Sequence, residues 1–218
     1  MFIELVDALR CPRTHEESWL VLAATHLEAR HVRHGTLGCP VCRAEYPIRD
    51  GVADFRLADD PVLAGGRTHG EEAPSIATHV QADHLAAMLN LADASGFAVL
   101  IGDWTRLAEG LLALENPPPL LLVDPPNGIA MSPGLSGLRA GGALPLAAGA
   151  ARAIAVDDAD EQRLASAAHA TRPAGRMVAP AWASVPTGVR ELVRDDTLWV
   201  GEREAPPAPL VRLHVRRA

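Results

Sequence analysis

At 218 residues, with 48% apolar and 22% charged side chains, the chain has the composition of a folded globular protein, with room for a small module and a larger domain. Its net charge of −7 at pH 7 divides into −1 over residues 1–57 and −6 over residues 58–218, which argues against a protein that grips a phosphate backbone unaided. Nothing at the N-terminus resembles a basic segment followed by a long apolar run, and no apolar stretch approaches the ~18 residues that cross a bilayer, so the expected location is the cytoplasm, away from membranes.

In chain order, the apolar residues Phe2, Leu5 and Leu9 lead into Cys11-Pro12, where a loop begins. Trp19 to Leu22 and His31-Val32 are short and β-like, and the second leads through Gly35 and Gly38 to Cys39-Pro40-Val41-Cys42. Asp50-Gly51 marks a tight turn between two short strands. Residues 58–80 carry Gly-Gly and Asp-Pro punctuation with scarcely any apolar period, and read as a linker. Beyond it, Leu85, Met88, Leu89 and Leu91 have helical spacing, and Phe97 to Ile101 is apolar throughout. The alternation continues with a helix over Leu107–Leu114, strands at Leu120–Val123 and Ala153–Val156, a helix over Glu161–Ala170 and a strand at Met177–Ala179. Thr197–Val200 and Leu210–Val215 read as a terminal antiparallel pair. Strands apolar on both faces and alternating with helices predict an α/β domain with a mostly parallel sheet.

Three cysteines, all before residue 43, do not make a disulfide framework. Cys39 and Cys42 have the C-x-x-C spacing that turns two thiolates toward one metal, and Cys11 lies at the distance of a second knuckle. Position 14, where a second C-P-x-C would end, holds Thr14; His15 is the expected fourth ligand, with His26, His31 and His34 as alternatives in the same segment. A zinc ion would offset the weak core of a ~55-residue module. The competing reading is that zinc is lost and the cysteines persist as small buried apolar groups.

The run Leu5 to Pro12, then Leu37-Gly38-Cys39-Pro40-Val41-Cys42, then Tyr46-Pro47-Ile48-Arg49-Asp50-Gly51-Val52 resembles the zinc-ribbon activator subunit of tRNA, rRNA and release-factor methyltransferases, and its small bacterial relatives. The resemblance covers about a quarter of the chain. It implies a ribbon that docks on a methyltransferase and carries no catalysis itself, hence a protein partner, a methyltransferase or a translation-related protein.

The second domain resembles, piece by piece, the class I S-adenosylmethionine-dependent methyltransferases, a Rossmann-like fold with helices on both faces. Val99-Leu100-Ile101-Gly102 stands at the first strand, Leu121-Leu122-Val123-Asp124 at the second, Ala143 to Leu146 and Ile154 to Asp157 around the fourth, and Arg172 to Val178 before the fifth. That resemblance implies Gly102, Asp103 and Asp124 as cofactor-binding residues. The glycine-rich turn is nevertheless reduced to Gly102, followed by Asp103-Trp104-Thr105-Arg106, whose side chains would fill the cofactor's volume. Asp157-Asp158 reads as a solvent-facing strand end or a substrate contact, and Trp104 as packing.

The expected architecture is therefore a zinc-ribbon-like module (1–57), a linker (58–80) and a methyltransferase-like α/β domain (81–218). The expected function is a non-catalytic scaffold or regulatory binding protein. An active S-adenosylmethionine-dependent methyltransferase with a divergent loop is the main alternative, and an interaction module that recognises another nucleotide is a third reading.

Overall fold

Short local signals build the first part of the chain. Asp50 and Gly51 both take positive φ (50° and 80°), as a two-residue hairpin turn requires, and join β3 (Glu45–Arg49) to β4 (Val52–Asp54). A second tight turn at Ala29-Arg30, also at positive φ, joins β1 (Val21–Glu28) to β2 (His31–Gly38). The 3₁₀ turn Ile3–Ala8 buries Leu5 beneath this meander.

The structure is a computed structural model and describes residues 1–56, 77, 80–92, 95–126 and 128–205. The remaining strands are β5 (Ala98–Ile101), β6 (Leu120–Val123), β7 (Leu135–Arg139), β8 (Ala151–Ala155), β9 (Thr171–Pro180), β10 (Val189–Arg194) and β11 (Leu198–Arg203). All eleven described strands form one sheet, ordered β1-β2-β3-β4-β7-β6-β5-β8-β9-β11-β10. β4, β7, β6, β5, β8 and β9 are parallel to one another, and the rest pair antiparallel.

The helices among the described residues are few. α1 (Ala82–Met88) and α2 (Ala108–Leu112) pack Leu85, Leu89 and Leu111 on one face of the sheet, against Leu100, Leu122 and Val178. α3 (Glu161–Ala170) covers the other face with Leu164, Ala167 and Ala168, against Ile154, Val156 and Met177. Alternate residues of β5, Ala98 and Leu100 against Val99 and Ile101, divide between the two faces, as a strand buried on both sides must. The core beneath α3 continues without a break into the residues packed around Leu37, Tyr46 and Phe55.

The continuity is also carried by hydrogen bonds. β4 pairs with β7 as Val52↔Gly137, Ala53↔Leu138 and Asp54↔Arg139. The Phe55 N–H donates to the Arg139 carbonyl at 2.8 Å, the Phe2 N–H to Ser136 Oγ at 3.0 Å, and the Ala147 N–H to the Ala8 carbonyl at 2.8 Å. Buried backbone groups at this seam are thus paired across it.

Several expectations are corrected in detail. The helix expected over Leu107–Leu114 begins as a 3₁₀ helix at Gly102–Leu107 and is α-helical only over Ala108–Leu112, since Asn116 at positive φ and three prolines follow at once. The strand around Met177 extends back to Thr171. Residues 198–203 pair with β9 on one side and with β10 on the other. The β10–β11 turn is closed by Asp195 Oδ1, which accepts from the N–H groups of Thr197 and Leu198 at 2.7 and 2.9 Å. Residues 210–215 lie outside the described residues, as does the expected linker 58–80 apart from Ala77 and Val80.

Candidate metal centre and switch-point crevice

Four residues predicted as ligands, Cys11, His15, Cys39 and Cys42, come together with their ligand atoms all within 4.8 Å of one another. The knuckle forms because Arg43 takes positive φ (59°) and its N–H donates back to the Cys39 carbonyl at 2.9 Å, which turns both thiols to the same side. Cys11 arrives from the opposite side. Its N–H bonds the Ser18 carbonyl at 3.1 Å, so residues 12–17 form a closed loop that carries His15 back toward the thiols. Arg10 pins that loop, stacking its guanidinium 3.7 Å from the Trp19 ring centre and pairing with Glu17 at 2.8 Å.

The spacing suits zinc. Ligands at ~2.3 Å (sulfur) and ~2.05 Å (imidazole nitrogen) around a tetrahedral ion lie about 3.8 Å apart for two sulfurs and about 3.6 Å apart for sulfur and nitrogen. Cys11 Sγ is 3.7 Å from Cys42 Sγ, and Cys39 Sγ is 3.5 Å from His15 Nε2. The three cysteines are free thiols, Cys11 and Cys39 buried. His15 Nδ1 lies 2.6 Å from the Glu16 carbonyl, which fixes that nitrogen as the protonated one and leaves Nε2 toward the sulfurs.

The surroundings polarise the thiols differently. Burial raises the Cys39 thiol, but the backbone N–H groups of Cys42 and Val41 overcome this and hold it down to about 6. Burial pushes the Cys11 thiol up, against the Tyr46 hydroxyl 3.2 Å away. Tyr46, itself fully buried and with its hydroxyl also pushed up by burial, is a contact that cysteine spacing could not reveal. The alternative histidines are elsewhere: His26 and His34 stack on each other across β1 and β2 with ring centres 5.8 Å apart, and His31 Nδ1 lies 3.0 Å from the Ala29 carbonyl.

The second candidate region lies where the order of the parallel strands reverses, between β5 and β8, at their carboxyl ends. In doubly wound sheets this crevice is where ligands bind. Here Gly102 ends β5 at φ +60°, and a Cβ at that position would overlap the Asp157 carboxylate. Asp157 Oδ2 accepts the Asp103 N–H at 2.9 Å, so the carboxylate from the end of β8 caps the 3₁₀ turn that follows β5. Trp104 is fully buried and its indole N–H donates to the Val156 carbonyl at 3.0 Å. Asp157, expected to face solvent or a substrate, is half-buried and accepts a hydrogen bond from a residue 54 positions away, a contact no local pattern announces. Burial pushes its carboxyl pKa up, with the charges of Asp158 and Asp103 adding to the rise against the Asp103 N–H.

Gly102 and Asp103 therefore stand together in this turn, with Asp103 paired to Arg106 at 3.3 Å. Asp124, at the end of β6, takes positive φ (51°). Its two oxygens engage the Ala140 N–H at 2.9 Å and the Arg163 guanidinium at 3.0 Å. Arg163 also approaches Asp158 at 3.6 Å. The Asp124 carboxylate is thus committed to protein partners on both sides.

A family model described as Trm112p-like protein matches residues 3–51. No curated protein matches the chain. The match spans the 3₁₀ turn, β1 to β3, the Cys/His cluster and the Asp50-Gly51 turn.

Proposed function

We propose that the chain is a non-catalytic, methyltransferase-like scaffold or regulatory binding protein, built from a structural zinc ribbon (1–57) and an α/β domain (81–218) that the ribbon braces. The observation that carries this reading is the crevice at the carboxyl ends of β5 and β8. There the Asp157 carboxylate lies over Gly102 and accepts the Asp103 N–H, and the Trp104 indole donates to the Val156 carbonyl. A cofactor entering there would have to break these bonds and expose a buried indole.

The methyltransferase-like half of the reading is supported by strand order. β7-β6-β5-β8-β9 runs third, second, first, fourth, fifth, the order of the doubly wound nucleotide-binding sheets. Trm112p-like proteins are known as methyltransferase activators, which supports a ribbon that serves a methyltransferase-type partner. In this chain the inner edge of the ribbon, β4, already pairs with β7. The ribbon's first partner is accordingly the α/β domain of its own chain, and a further protein partner, a methyltransferase or a translation-related protein, would meet another face.

Titration calorimetry with S-adenosylmethionine tests the proposal. No heat of binding is expected up to millimolar ligand. Micromolar binding that Asp124→Ala abolishes would overturn it in favour of an active S-adenosylmethionine-dependent methyltransferase.

A further inference from the structure

A second concavity lies away from both regions, between α3 and the loop that joins β9 to β10. It is a cleft of about 360 Å³, at the small end of the range that holds single small molecules. Leu164, Ala165 and Ala168 form its helical wall, and Val185 and Pro186 face them. The loop is tied down from beneath and at both ends. The indole N–H of the buried Trp199 donates to the Ala183 carbonyl at 3.1 Å, the Ala183 N–H to the Pro180 carbonyl at 2.9 Å, and the Val189 N–H to the Pro186 carbonyl at 3.1 Å. The cleft is therefore preformed.

Its two ends differ in charge. α3 turns directly into β9 at Thr171, and β11 runs antiparallel to β9 with Leu198 opposite Pro180 and Glu202 opposite Arg176. Arg203 thus stands toward the last turn of α3, with His169, while Glu161 stands at the other end of the helix, about 12 Å away at 1.5 Å per residue.

The Arg203 guanidinium is set in place and left with donors to spare. Gly188 takes positive φ (78°), and a Cβ there would overlap the guanidinium, so only a glycine lets it lie against the loop. Its bond to the Thr187 carbonyl, at 3.2 Å, uses one of the five N–H groups that a guanidinium carries. Arg176 and Arg190, on the strands to either side, both pair with Glu202, at 3.4 and 3.0 Å. Arg203 meets no carboxylate among the described residues. A planar cation of this kind beside an apolar wall matches a carboxylate with an apolar tail.

We infer that the cleft binds a small monocarboxylate, its carboxylate on Arg203 and its apolar body along Leu164, Ala168, Val185 and Pro186. Glu161, at the far end, repels a second anionic group and so sets the preference for one charge over two.

Titration calorimetry on the full chain with octan-1-ol, octanoate and octanedioate tests it. The three share a chain length and carry no, one and two negative charges. Octanoate should bind saturably below millimolar concentration, about ten-fold more tightly than either of the others, the effect of one charge-assisted pair. Arg203→Met, which keeps an apolar stem, should weaken octanoate about ten-fold and leave octan-1-ol as it was. Ala165→Phe, at an exposed position of the helical wall, should weaken both by occupying the cleft without touching its polar end. Absence of saturable octanoate binding at millimolar concentration overturns the inference. So does octan-1-ol or octanedioate binding as tightly as octanoate, or octanoate binding that survives Ala165→Phe, which would place it elsewhere on the surface.

Discussion

The Cys/His corner and the switch-point crevice are both places where a protein of this shape could hold something, and they are built in opposite ways. At the corner, Cys11, His15, Cys39 and Cys42 point inward with spacings that leave an ion's width among them. At the crevice, Asp157 and Trp104 point inward and bond backbone groups of the turn and strand facing them. Soft donor atoms that converge on one point invite a cation, even where a hydroxyl or backbone N–H supports them from outside; a carboxylate and an indole bonded to backbone groups across a gap occupy it. Clustering of polar groups alone does not distinguish the two. The partner of each group does.

This contrast can be broken most severely at the corner. Cys39→Ala should reduce bound zinc from about one equivalent to background and cost at least about 5 kcal/mol, a fall in melting temperature of roughly 10 °C or more. Elemental analysis and calorimetry on the same preparation read both. His15→Cys should keep the zinc, because a fourth thiolate serves a tetrahedral site equally well. Loss of stability without any zinc in the parent protein would reduce the corner to a small apolar core. Trp104→Ala should cost about 3–5 kcal/mol, the usual loss for an excavated buried aromatic. It should leave the metal content unchanged, which separates the two regions energetically.

A smaller effect is expected at Gly102. Gly102→Ala combines a positive φ with overlap against the Asp157 carboxylate, at about 1–3 kcal/mol by thermal unfolding. If the change were silent, Asp157 would not be seated over the turn. The smallest effect belongs to Asp157→Asn, whose amide oxygen can still accept the Asp103 N–H. Burial raises the Asp157 pKa in the folded chain, so ionisation costs stability at pH 7 and stability is regained as pH falls through the folded value toward ~3.9, the unfolded one. The Asn variant should melt slightly above the parent at pH 7, by less than about 1 kcal/mol, with the difference narrowing toward pH 4. A difference that widened on acidification would reverse the assigned sign.

What was legible in the sequence follows the range of the forces involved. The Cys/His cluster was legible because metal chemistry demands particular residues at short spacings, and α3 was legible as a helix over Glu161–Ala170, which the structure caps at Asp160: the Arg163 N–H donates to its carboxylate at 2.8 Å. β7 was not, since Leu135-Ser136-Gly137-Leu138-Arg139 sits in a Gly- and Pro-rich stretch and becomes a strand only by pairing with β4 on one side and β6 on the other. β10 was missed because, after Val189, its side chains are exposed and carry no alternation. Asp157 was misjudged because its partner comes from another strand's end.

β4 carries a consequence for the order of assembly. Its outward hydrogen bonds run to residues 137–139, about eighty-five positions later in the chain. As the chain emerges from a ribosome, the hairpins of β1 to β4 and the metal corner can close from neighbouring residues alone, long before β7 exists. Until then the β4 edge is bare, with Val52, Ala53 and Asp54 open to any strand that passes. Early metal capture would hold that edge in one fixed shape, a template on which the parallel strands are laid down, and contacts this distant in sequence are the slow ones to form.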